Sequence, residues 1–202
     1  MLKDKSSKVI SITSTISGEG KTVIAANLGV VFQITGKKVI ILNFDLRKPT
    51  LHKVFDVPNT KGLSAYLSYQ ADINEIIKET TLDNLDIIPA GTIPPNPSEL
   101  IISERSKELI DKLKKYYDYI IIDTPPIGIV TDARVLLSYS DLVLYILRVG
   151  VSKTDYLDNI NVLYEQKDIK NLGVILNCVN KKEGYVNGYK FGYGGGYGYY
   201  EE

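Results

Sequence analysis

Short apolar runs and amphipathic stretches alternate along most of this chain. Lys8–Thr13, Val39–Leu42, Leu85–Ile88, Tyr119–Asp123, Leu142–Arg148 and Leu172–Cys178 are largely apolar over four to seven residues. Runs of that length with little polar alternation predict strands covered on both faces, as in a parallel sheet. The stretches between them predict helices: Lys21–Thr35 (stopped by Gly36), Leu51–Phe55, Leu63–Ser68, Ile73–Thr80, Asp132–Ser140 and Lys153–Gln166. Ser98 follows the Pro/Gly-rich loop Pro89–Pro97 and is placed to cap another helix reaching about Lys115. Strand and helix in alternation predict an α/β fold, a doubly wound, mostly parallel sheet with helices on both faces. Ligands of such sheets bind outside the carboxyl ends of the strands, so the loops there are expected to share one rim. The pattern stops at Lys182. Residues 1–182 are expected to form one packed domain, and 183–202 a flexible Gly/Tyr-rich tail.

The first loop carries the chain's sharpest motif. Thr15-Ile16-Ser17-Gly18-Glu19-Gly20-Lys21-Thr22 lies between the first strand and the first helix, the context a phosphate-binding P-loop requires. Gly18 and Gly20 let the backbone close round an anion, and the first N–H groups of the helix point at it. The candidate nucleotide-binding set is therefore Ser17, Gly18, Glu19, Gly20, Lys21, Thr22 and Val23. Lys21 would reach the outer phosphates and the Thr22 hydroxyl would bind Mg²⁺. The first glycine of the usual pattern is replaced by Thr15.

Two carboxylates narrow the chemistry. Asp123 ends an isoleucine-rich strand, the position of a Walker B residue that holds Mg²⁺ opposite Thr22. Asp45 lies just past the second strand, where a carboxylate can bind the metal or accept a hydroxyl proton. Each also has a plainer reading, a turn-capping aspartate for Asp123 and an Asp–Arg surface pair for Asp45. Asn177, at the end of the last strand, is placed either to contact an adenine or to form a turn.

Lysine plus arginine equals aspartate plus glutamate at 24 each, so nothing predicts attraction to nucleic acid. The lone Cys178 excludes an internal disulfide, suits a reducing cytoplasm, and is expected to pack at a strand end. No apolar run approaches the roughly 18 residues of a membrane span. Tyrosine is over-represented, with 15 against four phenylalanines and no tryptophan. Tyr116, Tyr117 and Tyr119 are expected to be packing residues beside a strand.

Ser14–Thr22, Val39–Pro49 and Tyr119–Pro126 together resemble the Walker A, A′ and B motifs of bacterial protein-tyrosine kinases of capsule and exopolysaccharide synthesis. Pro89-Ala90-Gly91, Pro94–Leu100, Asp132 and the terminal tyrosines extend the resemblance over nearly the whole chain. It implies the P-loop NTPase fold of the MinD/ParA type, ATP and Mg²⁺ as cofactors, and Lys21, Asp45 and Asp123 as catalytic residues. Thr22, Asp45 and Asp123 would then form the metal set. The family's A′ motif usually reads Asp-x-Asp-x-Arg, whereas this chain has Asn43-Phe44-Asp45-Leu46-Arg47. An amide is a negligible base, so the role of proton acceptor falls to Asp45.

By the same resemblance Tyr185, Tyr189, Tyr193, Tyr197, Tyr199 and Tyr200 are autophosphorylation sites. Seven glycines among them favour a solvated chain over a helix. The resemblance also implies three kinds of partner: neighbouring copies, a membrane polysaccharide co-polymerase and a cognate phosphatase. It places the domain in the cytoplasm at the inner membrane face. The family's Glu-x-x-Arg-x-x-Arg assembly helix has no counterpart in Met1–Ser7, so either the sequence is a catalytic piece of a longer chain or assembly differs. Two other functions stay open. One is a MinD/ParA-like ATPase switch, although that group's signature lysine is Ile16 here. The other is a nucleotide-binding scaffold that lost phosphotransfer with the Asn43 change.

Overall fold

A computed structural model describes residues 7–128, 133–165, 169 and 171–179. The six tail tyrosines and Asp132 lie outside the described residues. The element order is β1 (Lys8–Ser14), α1 (Lys21–Ile34), β2 (Val39–Asn43), α2 (Leu51–Val54), α3 (Leu63–Leu67), α4 (Ile73–Ile76), β3 (Lys78–Glu79), β4 (Leu85–Ile88), α5 (Pro97–Ile102), α6 (Glu104–Leu113), β5 (Tyr119–Asp123), α7 (Ala133–Ser138), β6 (Leu142–Arg148), α8 (Tyr156–Tyr164) and β7 (Leu172–Asn177).

The seven strands form one sheet in the order β3-β4-β2-β5-β1-β6-β7. Every described pairing is parallel except β3 with β4. The apolar runs of β2 and β5 follow from this order, because central strands of a doubly wound sheet meet helices on both sides. Alternate residues of β2 go to opposite layers. Ile40 and Leu42 join Leu109, Ile110 and Leu113 of α6 on one face. Val39 and Ile41 join Ala25 of α1 and Leu51 of α2 on the other. A third cluster, with Val143 and Tyr145 of β6 under Leu137 and Leu163, supports α7 and α8. Truncating a fully buried isoleucine in such a layer costs about 2–5 kcal/mol. Helix α1 comes closest at Gly29, where a Cβ would lie 2.7 Å from Ile41 Cδ1. Close packing there fixes the helix that carries Lys21 and Thr22.

Four expectations need correction. The helix expected over Ile73–Thr80 ends at Ile76, and Lys78–Glu79 instead form an antiparallel edge strand on β4. The β-branched Ile77 is extended, with ψ 133°, and charged side chains suit an exposed sheet edge. Ser98 does not cap a helix. Asn96 occupies that place, Pro97 opens α5, and the chain turns again at Ser103 (ψ 150°), splitting the expected long helix into α5 and α6. Cys178 is exposed rather than packed, at φ 58° just past β7. Of the three tyrosines before and at β5, Tyr119 stacks on Phe32 with ring centroids 3.9 Å apart, whereas Tyr116 is 69% exposed. Among the described residues no helix is long and apolar enough to cross a membrane.

Candidate functional site

Strand order decides what gathers at the carboxyl rim. Strand β1 lies between β5 and β6, with β2 on the far side of β5. The loop after β1 therefore meets Asp123 from one side and the ends of β6 and β7 from the other. Gly18 and Gly20 have φ of 87° and 98°, left-handed values that L side chains rarely adopt. Gly20 sits at the N-cap of α1 and no side chain caps that end, so the first N–H groups are left for a ligand. Exposed Ser17 and Val23 flank the loop. Lys21 is buried, and its Nζ donates to Ser14 Oγ at 3.0 Å. Thr15, which replaces the usual glycine, is seated by its hydroxyl, which shares a 2.5 Å hydrogen bond with the buried Tyr145 phenol. A polar residue fits at that position because β6 supplies a partner.

Thr22 Oγ1 donates to Asp123 Oδ2 at 2.7 Å, and Thr50 Oγ1 donates to Thr22 Oγ1 at 3.3 Å. Asp123 is 1% exposed and its second oxygen, Oδ1, is buried without a hydrogen-bond partner. Burial pushes the Asp123 carboxyl up to about 7, against the opposing pull of Thr22 and Lys21. Burial also lowers the Lys21 ammonium, and the charges of Asp123, Asp45 and Glu19 counter that effect. A desolvated carboxylate with an orphaned oxygen, next to a hydroxyl and an ammonium, fits a divalent cation accompanied by phosphate. No group of three His, Cys, Asp or Glu able to hold a metal occurs among the described residues. Phosphate and hydroxyl oxygens would therefore complete the shell, as Mg²⁺ favours.

Asp45 stands partly exposed on the same rim, its Oδ1 accepting the N–H groups of Arg47 at 3.3 Å and Lys48 at 3.0 Å. The turn it closes keeps the carboxylate beside the P-loop, near enough to influence both Lys21 and Asp123. Asn43 is fully buried next to Asp123, its register partner across β2 and β5. Its Oδ1 accepts the Asp45 N–H at 3.2 Å, while Nδ2 is buried with no partner. The amide thus shapes the turn that presents Asp45.

Two residues predicted to bind nucleotide face inward. The Glu19 side chain is wholly buried. Its Oε2 accepts the Ile16 N–H at 2.9 Å, and Oε1 accepts the Ser152 hydroxyl. Glu19 can therefore meet a nucleotide only through its backbone. Asn177 Nδ2 donates to the Glu19 carbonyl at 3.0 Å and Asn177 Oδ1 accepts the Cys178 N–H, so its amide braces the loop in this state. Sequence reasoning missed Arg148, whose Nη1 donates to the Gly18 carbonyl at 2.7 Å, together with Ser152, Tyr145 and Thr50. Their only signal was location on β6 or in the segments that follow β2 and β6 on the predicted rim. Arg47 Nη2 donates to Ser98 Oγ at 2.6 Å, which explains what Ser98 does in place of capping.

This fold and this rim define a P-loop nucleotide-binding protein. A family model described as an AAA domain matches residues 7–173. The chain is 38% identical over 178 residues to the tyrosine-protein kinase CpsD of Streptococcus agalactiae, covering 88% of this chain and 78% of that protein. It is 37% identical over 198 residues to the tyrosine-protein kinase YwqD of Bacillus subtilis, covering 98% and 79%. Among solved structures, the kinase domain of Escherichia coli tyrosine kinase Etk superposes with a TM-score of 0.83 at 31% identity, covering 93% of this chain and 74% of that one. The chimerical protein CapA2B2 gives 0.80 at 40% identity, covering 86% and 77%. The septum site-determining protein MinD of Pyrococcus horikoshii, complexed with Mg-ADP, gives 0.70 at 26%, covering 84% and 70%. The chain belongs to the bacterial tyrosine-protein kinase family of CpsD and YwqD, built on the fold it shares with MinD.

Proposed function

We propose that this protein is an ATP- and Mg²⁺-dependent tyrosine kinase that phosphorylates its own C-terminal tyrosines and thereby regulates capsular or exopolysaccharide synthesis. The observation that carries the reading is buried Asp123 bonded to half-buried Thr22 beside Lys21, with Asp45 on the same rim. Lys21 neutralises charge on the transferred phosphoryl group, and Thr22 and Asp123 would hold Mg²⁺. Mg²⁺, when bound there, would neutralise charge on the phosphate oxygens. Asp45 orients the acceptor phenol and takes its proton as the new O–P bond forms and the bond to ADP breaks. Asn43 sets the Asp45 turn and needs no protonation, so the amide is compatible with activity.

The acceptors are Tyr185, Tyr189, Tyr193, Tyr197, Tyr199 and Tyr200 of a neighbouring copy. Tyr185 follows Asn177 by only eight residues, and its chain would have to reverse sharply to enter its own site. Each phosphate adds nearly two negative charges, so modified tails repel one another and loosen the assembly. A membrane co-polymerase holds the kinase at the cytoplasmic face of the membrane, a reading that likeness to the CapA2B2 chimera supports. A cognate phosphatase resets the tail.

The test mixes a Lys21→Met chain that keeps its tail with an active chain truncated after Lys182, in labelled ATP, followed by mass spectrometry. Phosphate on the inactive partner, at a rate rising with concentration, is expected. Nucleotide hydrolysis without tail phosphate would favour the MinD-like switch. A requirement for Asn43→Asp before any phosphate forms would favour the inactive scaffold.

A further inference from the structure

The P-loop is held from within by the Glu19 carboxylate on the Ile16 N–H, and also from outside. Gly18 and Gly20 flank the Glu19 peptide units, and glycine permits either orientation of a peptide plane at little cost. Two side chains from outside the loop hold the carbonyls of those peptide units. Arg148, the last residue of β6, binds the Gly18 carbonyl at 2.7 Å. Asn177, the last residue of β7, binds the Glu19 carbonyl at 3.0 Å. In a planar trans peptide the carbonyl and the next N–H point in opposite directions, and no cis bond occurs among the described residues. Drawing these two carbonyls toward β6 and β7 turns the N–H groups of Glu19 and Gly20 the other way.

The turn after β6 supports the same arrangement. Ser152 Oγ accepts the Arg148 N–H at 2.7 Å and gives its own proton to Glu19 Oε1. Asn177 also receives the Val149 N–H on its backbone carbonyl at 3.1 Å, which locks the two strand ends together. Asn177 approaches so closely that a Cβ on Gly20 would lie 2.2 Å from its Nδ2.

We infer that Arg148, with Ser152 and Asn177, is a positioning residue that aims the P-loop N–H groups at the nucleotide phosphates without itself touching them. This rests on the nucleotide-binding part of the proposed function. Nucleotide affinity in this chain is then set by the Arg148–Ser152 turn as well as by the motif. Loss of the brace leaves the loop free to sample orientations that cannot bind.

The experiment uses the full chain and Mg-ADP, titrated by calorimetry, with Arg148→Met, Arg148→Lys and Ser152→Ala. Arg148→Met should raise the Kd for Mg-ADP about tenfold, the scale of one charge-assisted hydrogen bond. Arg148→Lys, which keeps a donor, should stay within about threefold, and Ser152→Ala should fall between them. In kinase assays KM for ATP should rise by the same factor while kcat holds. The Arg148→Met effect should persist from about 50 to 500 mM salt, because the brace is a short contact to a carbonyl. An effect that disappears at high salt would mean that Arg148 meets phosphate directly, and would overturn the inference. Equal Kd for Arg148→Met, Ser152→Ala and the parent would overturn it too. Failure of the parent itself to bind Mg-ADP would instead defeat the proposed function.

Discussion

At the carboxyl end of the sheet, Asp123 is buried with one oxygen unpartnered, Asn43 Nδ2 is in the same condition, and Lys21 has lost much of its hydration. At the amino end, near the β3–β4 edge, lies a cleft of about 780 Å³ whose lining includes Lys38, Asp86, Lys112 and Tyr117. Among the described residues, none of the side chains lining it has a buried polar atom without a hydrogen-bond partner. Tyr117 donates to Asp86 at 2.7 Å, the Lys38 N–H goes to Asp118 at 2.9 Å, and Thr80 donates to the Leu85 carbonyl at 2.7 Å. The cleft thus leaves no buried side-chain group unsatisfied, while the rim holds desolvated charge and hydrogen-bonding capacity that a ligand would satisfy. Unsatisfied, desolvated polar groups distinguish the two better than volume does.

The sharpest way to break this comparison is Lys21→Met. It should abolish tail phosphorylation, with a loss well beyond about a hundredfold, while the melting temperature moves little. Retention of activity within about tenfold of the parent would remove the P-loop from the chemistry.

The second test concerns stability. The folded Asp123 carboxyl sits at about 7, above its ordinary 3.8, so between these values the folded protein binds more protons than the unfolded chain. Its contribution to stability is therefore intact below about pH 4 and is lost as pH rises through about 7. In EDTA at pH 8, Asp123→Asn should be more stable than the parent by up to about 4 kcal/mol, shrinking toward zero near pH 4. Urea denaturation at the two pH values reads this directly. Addition of Mg²⁺ and nucleotide should stabilise the parent more than the variant.

Effects at the opposite end should be smaller and separate from function. Tyr117→Phe removes the donor to Asp86 and should cost about 1 kcal/mol in urea denaturation, with KM for ATP unchanged. Burial and Asp86 raise the Tyr117 phenol above its usual 10, so the folded state keeps this proton longer than the unfolded chain. Stability from this group should decline only as pH rises above about 10. A change in nucleotide affinity in this variant would show that the two ends are coupled.

The smallest expected effect returns to the rim. Tyr145→Phe leaves Thr15 without its phenol partner and should cost about 1 kcal/mol or less, with at most a few-fold rise in KM for ATP. A tenfold rise would mean that the Thr15 contact helps to hold the loop as Arg148 does.

The sequence by itself determined the strands, because uninterrupted runs such as Val39–Leu42 and Tyr119–Ile122 admit little besides a sheet covered on both faces. It also determined the P-loop and the carboxylates at the strand ends, since glycine conformation and strand-to-helix context are local properties. It did not reveal that Ile77 would leave the helix for an edge pairing, or that Ser98 would receive Arg47 instead of capping. Nor did it reveal that Glu19 would turn inward to Ser152, or that Arg148 and Asn177 would grip the loop. Those contacts join residues 130 to 158 positions apart. They exist because β1 is laid down between β5 and β6, with β7 outermost. Hydrophobic periodicity tells a strand which faces it buries but not which strands become its neighbours, so everything that depends on adjacency in the sheet was left to the tertiary structure.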